Sequence, residues 1–170
     1  MRYFPPLYLA YVSLLLLPVI ALADLPSIYP CEHVDISVRL DDRNGLYDGM
    51  SQSGTELVLY NTGTSACMLP PLPALTFSDR AGRVMAVERR ISRGMHPGPA
   101  LPPVIVTPDN ELRIVLRWVA SDVYDGGTCV RPASVSLSLA GGVLSVPFER
   151  MMCTATGQNG YYTQSLTGTP

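Results

Sequence analysis

Apolar and polar positions along this chain alternate with a period of two, and nowhere with the period of a helix. Val34, Ile36, Val38 and Leu40 fall on one side of an extended segment, and Asp35, Ser37 and Arg39 on the other. That is the pattern of a half-buried strand. TELVLYN (55–61), ALTF (74–77), RVMAVE (83–88) and VIV (104–106) predict further strands, with SDRAG as an Asp/Gly turn between 77 and 83. In LRIVLRWV (112–119), Leu112, Ile114, Leu116 and Trp118 face one way, and Arg113 and Arg117 the other.

SVSLSLAGGVLSVPF (134–148) predicts a hairpin: Val135, Leu137 and Leu139 alternate with serines, and Leu144, Val146 and Phe148 answer them. Gly141-Gly142 would supply the positive backbone angles of a two-residue turn, which sets Leu139 opposite Leu144 and Leu137 opposite Val146. The connections are equally legible. GMHPGPALPP (94–103) holds four prolines and is irregular, SDVYDGGT (121–128) is a loop, and the polar segment 154–170 is expected to trail outside the packed domain. Seven to eight short antiparallel strands without helices predict an all-β, immunoglobulin-like β-sandwich over residues 24–153, closed by two disulfides.

The first residues are read differently. Arg2 precedes an apolar stretch, Leu7 to Ala23, which ends in the small-x-small triplet Ala21-Leu22-Ala23. That is the layout of a signal peptide, residues 1–23, cleaved after Ala23 and in the membrane only transiently. Cys31 follows Ile-Tyr-Pro, a poor context for lipid attachment. The expected product is a periplasmic or secreted single domain, long enough to build a core without a metal.

Charge removes one class of partner. The chain has 12 basic and 14 acidic residues, no lysine, and a net charge of −2, which loss of Arg2 would make more negative. No clustered positive surface is expected, and so no nucleic-acid partner.

The four cysteines, Cys31, Cys67, Cys129 and Cys153, are an even set without a C-x-x-C pair. In an oxidising compartment this implies two disulfides, not a redox or zinc site. Extending the hairpin ladder places Val130 opposite Cys153. A single bulge near Pro132 or Arg150 would bring Cys129 onto Cys153 and leave Cys31 for Cys67.

One set of positions forms a distinctive order. Cys31 comes first, then Asn61 and Gly63 ahead of Cys67, then Leu69, Pro73 and Leu75, then Asp79 and Gly82, with Leu116 and Trp118 before Cys129 and Cys153. This order resembles the exported bacterial domain of unknown function 4232. Pro71 stands where that family usually has glycine, and the glycine expected near Asp109 and Asn110 is absent. The resemblance implies an exported immunoglobulin-like sandwich and carries no agreed chemistry.

Candidate chemistry is sparse. There is no G-x-S-x-G elbow, and the two histidines, His33 and His96, lie at a strand start and in the proline-rich connection. Asp41, Asp42, Asn44 and Asp48 crowd one loop but lack the alternation and closing glutamate of a calcium site. Met95-His96 is the weak candidate for copper, since thioether sulfur suits Cu(I). Arg83, Arg89, Arg90 and Arg93 gather in one stretch and are candidates for an anionic envelope polymer or an acidic protein partner. The expectation is a non-catalytic envelope or secreted module without a cofactor, the alternative being a periplasmic copper-binding protein.

Overall fold

The computed structural model describes residues 28–90 and 100–168. The expected leader, 1–23, and Arg93, Met95 and His96 lie outside those residues. In chain order the strands are β1 (Tyr29–Pro30), β2 (Ile36–Asp41), β3 (Gln52–Asn61), β4 (Cys67–Leu69), β5 (Leu75–Ser78), β6 (Val87–Arg90), β7 (Val104–Val106), β8 (Glu111–Val119), β9 (Thr128–Val130), β10 (Ser134–Leu139), β11 (Gly142–Pro147), β12 (Met152–Thr154) and β13 (Gly160–Gln164). Among the described residues a single 3-10 turn, Arg43–Gly45, interrupts them.

One layer is a five-stranded sheet ordered β2-β3-β8-β13-β6, and it packs against the three-stranded sheet β11-β10-β5. The sheets β1-β4-β7 and β9-β12 complete the sandwich. β3 and β8, the two longest strands, pair at the centre. Their register sets Leu57 beside Ile114 and Leu59 beside Leu112 on the inward face. Alternation places every second residue there, as the sequence pattern requires. Phe77 of β5 meets Phe148 and Tyr162 with ring centroids 5.1 Å apart in each pair, and Phe148 meets Trp118 at the same separation. Such tilted and edge-on contacts add to the burial of four large rings.

The all-β sandwich with two disulfides stands as read, but the strand set, the hairpin register and the tail each differ from that reading. The strands are more numerous than seven or eight, because segments of two or three residues carry no visible alternation. The pairing is mixed, since β1 runs parallel to β4 and β6 parallel to β13.

The hairpin register is the second difference. Leu137 faces Leu144 and Val135 faces Val146, so the turn is Ala140-Gly141. A shift of one residue would have turned every side chain to the wrong face, but this shift of two leaves the buried face unchanged. Hydrophobic pattern alone therefore does not resolve it. The two glycines have separate roles. Gly141 supplies a positive φ of 76°, whereas Gly142 lies under the His33 ring, where a Cβ would stand 2.7 Å from Cγ.

The tail is the third. The domain does not end at Cys153: β13 inserts between β8 and β6, and Tyr162 is 2 % exposed. Beyond it Ser165 N–H donates to the Val115 carbonyl at 2.9 Å, and Arg113 and Gly168 exchange two backbone hydrogen bonds. The short run Tyr-Tyr-Thr is strongly strand-forming, and Tyr162 completes the core against Phe77.

Candidate functional site: an arginine-lined cleft

Both expected disulfides are present, Cys31–Cys67 and Cys129–Cys153, with no free cysteine. Cys129 and Cys153 face each other directly across β9 and β12. From Pro147 to Met152 the chain takes five steps, while its partner takes four from Ser134 to Val130. The extra residue is the predicted bulge, on the Arg150 side, with Glu149 at φ 46°.

Cys67 is positioned by Asn61, which is fully buried. Its side-chain amide donates to the carbonyls of Ser65 and Val106, both at 3.0 Å, and its Oδ1 accepts from Gly63 N–H at 2.9 Å. One carboxamide thus satisfies two backbone groups of the loop that delivers Cys67 to β4 and ties that loop to the end of β7. The run Pro70-Pro71-Leu72-Pro73 that follows has a single backbone N–H, that of Leu72, and four carbonyls. Those of Pro71, Leu72 and Pro73 accept from Thr167, Arg89 and Gln164.

The arginines predicted as one cluster are separated. Arg89 is tied to Leu72 and Gln164, while Arg90 lies over the Tyr161 ring at 3.5 Å and donates to Gln158. Arg83 lies elsewhere, in the turn after β5. Asp79 organises that turn: its Oδ1 accepts from Ala81 and Arg83 N–H, both at 2.9 Å, and its Oδ2 takes Arg83 Nε and a second guanidinium nitrogen at 2.8 and 2.7 Å. The Arg83 backbone N–H, and then its side chain, hold the Asp79 carboxyl below the ordinary value.

Ser78 pairs with Ser134, and this brings the Asp79 turn beside residues 131–133. Between them opens a cleft of about 520 Å³ lined by Asp79, Arg80, Arg83, Arg131, Pro132 and Glu149, with Ala81 and Ala133. Arg80 reaches Glu149 at 3.9 Å, whereas no ion pair holds Arg131 among the described residues. Arg80, Arg131 and Glu149 could not be singled out from sequence, because only the β5–β10 pairing brings 79–83 next to them.

The outer face of the five-stranded sheet carries a second polar group. Arg113 pairs with Glu56 and Glu111, and more loosely with Asp41 at 3.4 Å; Tyr47 donates to Glu56 at 2.5 Å. Burial by itself would raise the Glu56 carboxyl, but hydrogen bonds from Tyr47 and Arg113 outweigh it and hold the group below its usual range. With Arg39 on Asp41 and Glu111 and Arg43 within 4.0 Å of Glu56, every carboxylate here has a cation, so the group ties β2, β3 and β8 together and leaves nothing to offer a ligand. The crowded acids of 41–48 are similarly engaged: Asp42 by Thr55 and Arg150, Asp48 by Ser53. Among the described residues no three His, Cys, Asp or Glu side chains are placed to hold a metal.

The model of the family described as domain of unknown function (DUF4232) matches residues 31–170. The chain belongs to that family. No curated protein and no solved structure matches it. The DUF4232 match takes in β13 and the residues after it, in keeping with a domain that continues beyond Cys153. In this DUF4232 chain the marker residues are architectural: Asn61 and Gly63 shape the loop that presents Cys67, and Asp79 and Gly82 close the turn that walls the cleft.

Proposed function

We propose that this chain is an exported, non-catalytic interaction module of the bacterial envelope or medium, released after Ala23 and working through its loops. The observation that carries the reading is the pair of disulfides, since such bonds persist in oxidising, extracytoplasmic compartments. One feature supports it further. Asn61 and Thr167, both buried, spend their polar groups in fixing backbone, as in a scaffold whose loops meet a partner.

The test is the intact mass of the protein recovered from cell fractions of its producer. A chain beginning at Asp24, four hydrogens lighter than its reduced form and found outside the cytoplasm, is expected. A full-length chain with free thiols in the cytoplasm would sink the reading, and retained copper would shift it to a metal carrier.

A further inference from the structure

We propose that the cleft between the Asp79 turn and residues 131–133 binds a small ligand through its oxyanion, a carboxylate or a phosphate, with Arg131 and Arg80 as the contacting cations. The inference rests on the reading of the chain as a binding module and names the site and the ligand chemistry.

Four observations converge. The cleft, at about 520 Å³, is within the usual size range of small-molecule sites. Its walls are preformed. One is the turn fastened by Asp79 and by the backbone bonds Asp79 N–H to Arg83 and Gly82 N–H to Asp79. The other is held by Ala133, which donates to Ser78 and accepts from Phe148, and by the buried Pro132. A site that does not have to be ordered on binding keeps more of its interaction energy.

The charges are unequal in their engagement. Arg83 is locked to Asp79 through two guanidinium nitrogens at 2.7 and 2.8 Å, and serves the turn. Arg80 is held loosely to Glu149 at 3.9 Å with an exposed side chain, and Arg131 has no ion-pair partner among the described residues. Three guanidinium groups against two carboxylates leave the cleft one positive charge in excess, in a chain that is acidic overall. An arriving oxyanion completes that balance, and the planar fork of arginine suits both carboxylate and phosphate.

The fourth observation is backbone strain. Glu149, on the rim, sits at φ 46°, a conformation that L-residues rarely adopt and that often marks functional positions. Its carboxylate lies 3.9 Å from Arg80 on the same rim, a contact loose enough for an arriving ligand to displace.

The experiment is a titration of the isotopically labelled mature chain, at low ionic strength, with citrate and in a second series with inorganic pyrophosphate. Amide shifts are expected at Ala81, Arg83, Arg131 and Ala133, and whichever probe binds tighter assigns carboxylate or phosphate as the native chemistry. Arg131→Gln removes an exposed side chain and leaves the fold intact, as its spectrum would verify. It should weaken binding about tenfold or more, the usual loss for a charge-assisted hydrogen bond. Arg80→Gln should weaken it less, Arg117→Gln on the outer sheet face should leave it unchanged, and added salt should weaken it.

Shifts confined to another surface, an equal loss in Arg117→Gln, or no shift with either probe overturns the proposal. Binding mapped elsewhere leaves the module reading standing. Conversely, a chain shown to be cytoplasmic and reduced removes that reading while the titration still decides the cleft.

Discussion

The two disulfides close loops of similar size and sit in very different surroundings. Cys31–Cys67 spans 36 residues and Cys129–Cys153 spans 24. On the chain-entropy account these are worth about 3.8 and 3.4 kcal/mol, too close to distinguish them. What separates them is what lies around the sulfurs. Cys31 is buried and Cys67 half-buried beside the Asn61 carboxamide, in a strap that brings β1 onto β4. Cys129 is exposed on a two-stranded ribbon, although its partner, Cys153, is buried. The lesson is that a staple's contribution depends on the packing it anchors as much as on the loop it closes.

The comparison breaks if the two bonds behave alike when removed. Replacing Cys31 and Cys67 together by alanine should lower stability by about 4–5 kcal/mol, because the Asn61 loop loses its anchor as well. The same change at Cys129 and Cys153 should lower it by about 3 kcal/mol. Urea unfolding of both variants measures the gap, and equal losses would show that loop entropy alone decides. Mild reduction sharpens the contrast. With alkylation and peptide mapping, Cys129 and Cys153 should be labelled well before Cys31 and Cys67, since exchange requires thiolate access to a sulfur.

Asn61→Asp is the next largest effect. It sets a carboxylate against two backbone carbonyls that now receive N–H bonds, and should destabilise by about 3 kcal/mol, also read by urea unfolding. A loss below about 1 kcal/mol would mean that the Cys31–Cys67 side is held by the bond and not by the carboxamide.

Gly142→Ala tests the strap from its other end, where Ala140 binds the backbone of His33. The new methyl would meet the imidazole, so a loss of about 1–2 kcal/mol in thermal unfolding is expected, largely restored by adding His33→Ala. No restoration would place the strain elsewhere.

The smallest effect concerns pH and lies away from both bonds. The folded Glu56 carboxyl titrates below its unfolded value of about 4.3, so its stabilisation is complete above that pH and is lost as the pH falls further. Glu56→Gln should flatten the acid side of the stability curve without abolishing its slope, because Asp41 and Asp79 are depressed in the same sense. An unchanged acid slope would show that the Arg113 group contributes nothing to folding.

Much of this was legible from local chemistry. Alternation marked the long strands, because each buries one face, and it placed Leu112, Ile114, Leu116 and Trp118 on one side, the side that is buried. The pairing of all four cysteines was reached by counting along one hairpin and allowing a single bulge. The count started from a register two residues out, which a period of two does not detect because such a slip preserves the buried face. β13 was missed because its burial depends on Phe77, far away in the chain, and not on its own polar neighbours.

What the sequence by itself determined, then, is whatever depends on period and composition: an all-β sandwich, its two disulfides and the family to which it belongs. Tertiary structure alone decided the mixed sheet order, the place of the tail and the arginine-lined cleft. These arise where strands distant in the chain become neighbours, and a pattern of period two says which face a residue shows without saying which strand it meets.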